Sequence, residues 1–269
     1  MPSVANEALL KLAREVALAA AELARRRRTE GVEVAASKSS VEDIVTLADR
    51  EAEQLIRSML SKARPSDGFY GEESAADAGT SGTTWVVDPI DGTVNYLYGI
   101  PEYAVSIAVV EGDPDPLTWT ALAGVVINPA SGEVFSASVD GGATLDGRPI
   151  RVNKEVSLDQ ALVGTGFSYT AESRAEQGAV LAGLISQVRD IRRHGAAALD
   201  LCGVACGRLD AYYERGLQPW DHAAGALIAR EAGASVTGLD GAPISADFAL
   251  AADAELAMEL ERTLRKHGV

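Results

Sequence analysis

The sequence predicts a mixed α+β protein built from two subdomains. Two stretches with the helical spacing of apolar residues come first, and a series of short strand-like runs follows them. From about residue 156 the pattern changes to strands that alternate with helices. No linker rich in Ser, Gly or Pro separates the two patterns. We therefore expect subdomains at 1–155 and 156–269 that share one interface.

The first half is predicted to contain two helices and an antiparallel sheet. Apolar residues recur at helical spacing over residues 3–28, and a second helix is predicted from Val45 to Lys62. The strand-like runs are “FYGE”, “TTWVVD”, “YAVSIAVV”, “TWTALAGVVI”, “EVFSAS” and “ATL”. Turn signals such as Asp140-Gly141 separate them, which is typical of hairpins and therefore of an antiparallel sheet.

The second half is predicted to be an α/β arrangement. Strands are expected near residues 161–164, at “DAYYE” and at “FALAA”. The predicted helices are Ser173–Arg189, Ala196–Cys206, His222–Ala232 and Ala254–Lys266. Glycines follow the second and third of these helices, as glycine commonly does where a helix ends.

The composition predicts a globular protein and excludes several kinds of partner. The chain has 269 residues, 47% of them apolar, which is sufficient for a core. Charges interrupt the N-terminal segment where a signal peptide needs an apolar run, so we expect a cytoplasmic protein without a membrane span. The net charge of −15 argues against nucleic acid or an anionic membrane as partner. A phosphorylated small molecule stays compatible, because carboxylates that bind Mg²⁺ first reverse the local charge.

The stretch “WVVDPIDGTVNY” carries the strongest chemical signal. Asp88 ends an apolar strand, and Pro89 is expected to turn the chain so that Asp91 converges on the same point. Two neighbouring carboxylates repel each other unless a cation lies between them, so the spacing predicts a metal site. Gly92 and Thr93 then open a helix or turn whose N–H groups can bind phosphate oxygens. The alternative is a plain turn in which Asp91 is the N-cap.

Three other segments offer further carboxylates. Glu72 and Glu73 follow a short apolar strand, so that one of them can point inward. Asp49 lies at the head of the second predicted helix, and Asp221 lies at the start of a later one. The alternatives are solvated glutamates and acids that merely cap their helices, and the residues alone leave these alternatives open.

Together these segments resemble the inositol monophosphatase family, the Mg²⁺-dependent, lithium-sensitive phosphatases. The motifs “GEES”, “WVVDPIDGTVNY”, “GTGF”, “AYYERG” and “WDHAAGALIAREAGA” occur in the family's order between Lys38 and Gly233. The combination of D-P-I-D-G-T with W-D-x-A-A-G is specific, whereas neither motif is convincing alone. The resemblance implies an αβαβα layered sandwich of the inositol monophosphatase and fructose-1,6-bisphosphatase type. It also implies a phosphatase that forms a homodimer.

The resemblance implies a role for each matching acidic residue. It implies roughly two or three Mg²⁺ ions, as in enzymes that use paired metals on phosphate esters. The implied metal ligands are Glu72, Asp88, Asp91, Asp221 and the carbonyl of Ile90. The implied catalytic set is Asp49, Thr93 and Glu72, in which Asp49 and Thr93 orient and deprotonate the attacking water.

The resemblance also implies which residues contact the substrate. The N–H groups of Gly92 and Thr93 hold the phosphate, and Ala197 and Glu214 form the wall that receives the organic part. Lys38 matches the family's lysine near the metals, and His194 lies beside the wall, where it can contact the substrate.

Two sequence features fall outside this pattern. The segment “SYTAESR” after “GTGF” departs from the family, so no substrate contact is assigned to Ser168 or Tyr169. His222 follows the metal aspartate, and we expect it at the surface or the helix flank.

The substrate expected from the resemblance is inositol-1-phosphate, a small phosphorylated polyol. Histidinol phosphate is an alternative, because Glu214 can accept hydrogen bonds from hydroxyls or from an ammonium. Fructose 1,6-bisphosphate is another, if Arg192 and Arg193 hold its second phosphate. A regulatory binding protein that keeps the fold is an alternative of another class. The complete acidic set favours the enzyme, because unneeded like charges in one cleft are destabilising.

Overall fold

The computed structural model describes residues 3–37 and 44–269, and it confirms the predicted layered α+β sandwich. Lys38, predicted to stand near the metals, lies outside the described residues. The first half contains α1 (Val4–Glu30), α2 (Leu47–Ala63) and α3 (Thr93–Tyr98). Its strands are β1 (Val34–Ser37), β2 (Ile44–Thr46), β3 (Gly68–Gly71), β4 (Thr83–Asp91), β5 (Ala104–Glu111), β6 (Thr120–Ile127), β7 (Val134–Ser138), β8 (Gly142–Leu145) and β9 (Arg148–Pro149).

Strands β3 to β9 form one seven-stranded sheet in chain order. Neighbouring strands from β4 onward pair antiparallel, as predicted. The prediction is wrong for β3, which pairs parallel to β4. The chain between β3 and β4 crosses back to the start of the sheet, as a parallel pair requires. The carboxyl ends of β3 and β4 therefore lie at the same edge.

The second half contains α4 (Ala171–Leu184), α5 (Ala197–Ala205), α6 (Pro219–Glu231) and α7 (Ala254–Lys266). Its strands are β10 (Leu162–Thr165), β11 (Asp190–Arg192), β12 (Ala211–Glu214), β13 (Ser235–Thr237) and β14 (Ala249–Ala252). They form a five-stranded sheet in the order β11-β10-β12-β14-β13, in which β10 is parallel to both of its neighbours.

In this half the predicted end of α4 is wrong, and the strands β11 and β13 were not predicted. Helix α4 ends at Leu184 and not at Arg189, because the Arg189 N–H bonds to the Ala161 carbonyl and the chain then joins the sheet as β11. Strand β13, which was not predicted, pairs with β14 and follows directly on the turn after α6. Both missed strands are only a few residues long, too short for a clear period-two pattern.

The two sheets share a central helical layer. Helices α1 and α2 pack on one face of the seven-stranded sheet, and α5 and α6 cover its other face. Along β5, Val105, Ile107 and Val109 face α1, whereas Ala104 and Ala108 face α5 and α6. Helices α4 and α7 pack on the second sheet. The result is the αβαβα order of layers.

The core between the sheets contains residues of both halves of the chain. The division into subdomains at residue 155 stays a prediction. Among the described residues, no helix is both long enough and apolar enough to cross a membrane.

Candidate functional site

Asp88 and Asp91 lie at the end of β4 and are both buried. The strand continues through Pro89 to Asp91, so the sharp turn expected at Pro89 is wrong. Instead, the register with β5 shifts between the two aspartates, because the proline cannot donate a hydrogen bond to the neighbouring strand. The Ile90 N–H donates to Asp88 Oδ1 at 3.0 Å. This irregularity lets both carboxyl groups enter the same part of the site.

Glu72 reaches Asp88 because β3 and β4 are parallel. The Glu72 N–H donates to the Val87 carbonyl at 3.2 Å, one residue before Asp88. The side chains of Glu72 and Asp88 share a hydrogen bond. Glu53, which the sequence analysis missed, is buried on α2 and accepts a hydrogen bond from the Glu73 N–H at 2.8 Å. The sequence feature that could have indicated this contact is a glutamate among the apolar positions of α2.

Asp49 caps the second helix. Its Oδ2 accepts hydrogen bonds from the Thr46 N–H at 2.8 Å and from the Thr46 hydroxyl. Because Thr46 is extended and forms this capping box, α2 begins at Leu47 and not at the predicted Val45. The capping interpretation of Asp49 is therefore correct for one of its two oxygens.

The other oxygen of Asp49 faces the site. The Thr93 hydroxyl lies 3.1 Å from Asp49 Oδ1 and 3.0 Å from the Ile90 carbonyl. Burial, above all, raises the pKa of Asp49 to about 7, and the charges of Glu72 and Glu73 act in the same direction. The structure therefore brings together the predicted pair Asp49 and Thr93.

Gly92 connects β4 to α3 with a left-handed backbone at φ 89°. A side chain at this position would also clash, because a Cβ would lie 2.9 Å from the Glu102 carbonyl oxygen and 3.1 Å from that of Gly195. Only glycine satisfies both conditions without strain. The turn places Thr93 at the start of α3, next to the carboxyl end of β4.

Asp221 lies in the first turn of α6 and lines the same cavity as Asp91 and Glu72. Its Oδ2 accepts a hydrogen bond from the Gln218 N–H at 2.7 Å, so this carboxyl group also caps its helix. Asp91 is held from the second half of the chain as well, since its Oδ2 accepts the Ala198 N–H of α5 at 2.7 Å. Both contacts stabilise negative charge at a helix N-terminus.

Four acidic side chains influence one another at this point. Burial first, and then the charges of Glu72, Asp91 and Asp221, raise the pKa of Asp88 well above its usual range. Burial and the charge of Asp221 do the same for Asp91. Within residues 3–37 and 44–269, no three Asp, Glu, His or Cys side chains are arranged to hold a metal ion. The four acidic side chains therefore lie near one another, but they are not arranged as a set of metal ligands.

The cavity above these acids has a volume of about 500 Å³. Ala197 and Glu214, which the family resemblance implies as the substrate wall, both line it. Glu214 Oε2 accepts a hydrogen bond from the Tyr212 hydroxyl at 2.5 Å. Burial raises the pKa of Glu214 to about 7, and the hydrogen bond from Tyr212 opposes this shift. Gly166 leaves room for the Glu214 side chain, because a Cβ at residue 166 would lie 2.0 Å from Glu214 Oε2.

His194 contacts an acid beside this wall. Its Nδ1 lies 2.5 Å from Asp200 Oδ1, and Asp200 raises the pKa of the imidazole. The neighbours Arg193 and Gly195 line the cavity, whereas His194 does not. Its contact with substrate stays a prediction.

The expected surface position of His222 is wrong, because the side chain is 3% exposed. Helix α6 lies between the two sheets, so residues on most of its faces are buried. Burial lowers the pKa of His222 to about 3.

Comparison with known proteins gives one consistent match. The sequence pattern of the “Inositol monophosphatase family” matches residues 5–268. “Inositol-1-monophosphatase SuhB” of Mycobacterium tuberculosis is 46% identical over 246 residues, which cover 85% of this chain and 83% of that protein. “Nus factor SuhB” of Xylella fastidiosa is 45% identical over 202 residues, covering 74% and 70%.

Solved structures agree with this match. The extragenic suppressor protein suhB of Bartonella henselae superposes with a TM-score of 0.88 at 37% identity, covering 97% of this chain and all of that one (100%). The SuhB structure from Mycobacterium tuberculosis gives a TM-score of 0.82 at 43% identity, with 97% of both chains covered.

Proposed function

Because the chain belongs to the inositol monophosphatase family, we propose that it hydrolyses inositol-1-phosphate to inositol and phosphate with the help of Mg²⁺. Membership confirms the predicted enzyme class, a phosphoric monoester hydrolase. The observation that carries the proposal is the convergence of Asp88, Asp91, Asp221 and Glu72 beside the contact between Asp49 and Thr93.

The donor set suits Mg²⁺, because every proposed ligand atom is an oxygen. Four carboxyl groups and one carbonyl would hold the ions: Glu72, Asp88, Asp91, Asp221 and Ile90. Removing a proton from a buried carboxyl group beside three other acids is unfavourable, which the raised pKa of Asp88 reflects. When bound, Mg²⁺ supplies positive charge that stabilises these carboxylates, lowers the pKa of a water molecule and offsets charge on the phosphate.

Asp49 and Thr93 would orient the attacking water. A hydroxyl donates one hydrogen bond and accepts others, so Thr93 can donate to Asp49 while its oxygen accepts from water. Asp49 then takes the proton through Thr93 as the water attacks phosphorus, the bond from phosphorus to the inositol oxygen breaks, and that oxygen receives a proton from solvent water. Without metal the pKa of Asp49 is about 7, which is in the range of a general base that works near neutral pH.

The remaining residues would bind the substrate. The N–H groups of Gly92 and Thr93, in the turn after β4, are proposed to hold phosphate oxygens. Glu214 and Ala197 would receive the ring, with Glu214 accepting hydrogen bonds from its hydroxyls. The cavity of about 500 Å³ falls within the range of roughly 300–1,000 Å³ typical of small-ligand sites.

Family resemblance supports three further proposals: inhibition by lithium, a cytoplasmic location and a homodimer. For the dimer, an additional observation is the apolar surface at Tyr98 and Ile100, which are 75% and 46% exposed. Light scattering of the purified chain would test it, with a monomer contradicting the proposal.

A second function has a specific observation in its favour. A relative that is 45% identical carries the name “Nus factor SuhB”, so a regulatory binding role can accompany or replace catalysis. Histidinol phosphate and fructose 1,6-bisphosphate stay alternatives as substrates of the same site.

A panel of phosphate monoesters assayed for phosphate release with Mg²⁺ tests the proposal. We expect the highest kcat/KM with inositol-1-phosphate, compared with histidinol phosphate, fructose 1,6-bisphosphate and glycerol 2-phosphate. A higher kcat/KM for one of the others would replace the substrate assignment and leave the enzyme class unchanged. No hydrolysis of any ester would favour the regulatory function.

A further inference from the structure

A second cavity, of about 330 Å³, lies against α6 and has no lining residue in common with the cavity that contains Glu214. One wall is a single face of α6, and the opposite walls are the start of β6 and the segment after β13. Asp221 lines one cavity and its neighbour His222 lines the other. The first turn of α6 therefore separates two different pockets.

His222 forms a polar part of this second cavity. Its side chain is 3% exposed, and in the described ranges its Nε2 is buried without a hydrogen-bond partner. The Trp119 ring lies beside it, with the two ring centroids 6.2 Å apart and the planes inclined by 55°. Buried polar atoms in folded proteins nearly always have a partner, so an unpartnered nitrogen at a cavity points to a missing hydrogen bond.

Arg230 adds a positive charge on the same face of α6, about two turns after His222. Its Nη2 donates to the Val236 carbonyl at 3.1 Å. No acidic side chain in the described part of the chain forms an ion pair with it. Burial of part of the side chain lowers the pKa of Arg230, while another part stays exposed to solvent. A cation that lines a pocket and has no ion-pair partner among the described residues suits an anionic ligand.

Most of the other lining side chains are apolar and include Leu117, Trp119, Ala226, Pro243 and Ile244, although polar atoms make up more than half of the cavity surface. A phosphate group usually takes several charged donors at once, and Arg230 is the one arginine or lysine among the lining residues. A carboxylate needs only one such partner. The volume is at the lower end of the range of roughly 300–1,000 Å³ found for small-ligand pockets.

We propose that this cavity is a binding site for a small organic carboxylate with an aromatic or branched apolar body. Arg230 binds the carboxylate, and Trp119 and Leu117 pack against the apolar body. The His222 ring lies beside the Trp119 ring in the wall of the site. This proposal does not depend on the proposed phosphatase reaction.

Isothermal titration of the full chain with phenylacetate tests this site, with phenylacetamide as the uncharged probe of the same shape. We expect saturable binding of phenylacetate and at least about tenfold weaker binding of phenylacetamide, because the amide lacks the charge-assisted bond to Arg230. Saturable binding of both probes with equal affinity, or no saturable binding of phenylacetate, would overturn the proposal.

Variants locate the site. Arg230→Met should weaken phenylacetate binding by at least about tenfold, whereas Arg262→Met, the same charge change at an exposed position of α7, should leave it unchanged. If Arg230→Met has a lower melting temperature than wild type, Arg230→Gln replaces it in the binding test. Glu214→Gln should also leave phenylacetate binding unchanged. Wild-type affinity in both Arg230 variants, or loss of affinity in Glu214→Gln, would contradict the assignment.

Discussion

The Thr93 hydroxyl lies 3.1 Å from Asp49 Oδ1, although the two residues are 44 positions apart in the chain. The contact joins the first turn of α2 to the first residue of α3. Since the hydroxyl has one proton, Asp49 and the Ile90 carbonyl compete for it. An ionised Asp49 is the stronger acceptor, which leaves the Thr93 oxygen able to accept a hydrogen bond from water.

Two substitutions of Thr93 therefore distinguish the effect of its hydroxyl group from the effect of its shape. Thr93→Val keeps the branched side chain but cannot pass a proton to Asp49, so kcat should fall by about 10²-fold or more, the scale of general acid-base catalysis. Thr93→Ser keeps the hydroxyl and should retain most of kcat. Steady-state kinetics on both variants checks this, and equal losses in the two would show that the hydroxyl has no role.

Glu72 and Glu73 offer a matched pair for the proposed metal site. Glu72 shares a hydrogen bond with Asp88, whereas the Glu73 main chain is held by Glu53. Glu72→Gln should raise the Mg²⁺ concentration needed for half-maximal activity and lower kcat by about 10²-fold, because one charged ligand is lost. Glu73→Gln should change both values only slightly. A large effect of Glu73→Gln and a small effect of Glu72→Gln would show that Glu73, and not Glu72, is the metal ligand.

The substrate wall can be tested through Glu214. Glu214→Gln should raise KM for inositol-1-phosphate, because the amide presents an N–H₂ group where an oxygen acceptor is needed. The expected loss is roughly 1–3 kcal/mol for one mispaired buried polar group. Histidinol phosphate should lose more kcat/KM, since its ammonium also loses a counter-charge. If Glu214→Gln lowers kcat/KM for glycerol 2-phosphate as much as for inositol-1-phosphate, Glu214 acts in catalysis and not in ring recognition.

The metal-free chain should lose stability as the pH rises. Asp49 has a pKa of about 7 against an ordinary value of 3.8, so the folded state holds its proton more tightly than the unfolded state. Such a group stabilises the fold at low pH, and this contribution is lost as the pH rises through about 7. Glu214 behaves in the same way. In EDTA, the melting temperature should therefore fall from about pH 5 to about pH 8, and it should fall less in Glu214→Gln.

Added Mg²⁺ gives the complementary result. Its ligands must be deprotonated, so it should raise the melting temperature more at about pH 8 than at about pH 5. Differential scanning fluorimetry at both pH values measures this. An equal increase at the two pH values would indicate that the carboxyl groups with raised pKa do not bind the ion.

The local parts of the site could be predicted from the sequence, whereas contacts between distant segments could not. The pair Asp88 and Asp91 follows from an apolar run and a proline, and the cap at Asp49 follows from the residues before α2. The hydrogen bond from the Ala198 N–H to Asp91 joins residues 107 positions apart, and no local sequence pattern predicts it. The parallel pairing of β3, which brings Glu72 to Asp88, likewise depends on how the chain crosses the sheet.

Burial was the least predictable property of single residues. His222 was expected at the surface because the sequence does not reveal that α6 lies between two sheets. Glu53 was missed because a glutamate in an amphipathic helix is usually solvated, whereas here it holds the chain after Glu72.

The most direct test of the metal mechanism is the initial rate of phosphate release from inositol-1-phosphate, measured with increasing Mg²⁺ and again in excess EDTA. We predict a rate that depends on Mg²⁺ in the millimolar range, because a site that leaves several waters on Mg²⁺ binds it loosely. The rate should disappear in EDTA, and Asp91→Asn should reduce it by at least about 10²-fold at saturating Mg²⁺. Full activity in excess EDTA would contradict the proposal that these carboxylates act through Mg²⁺.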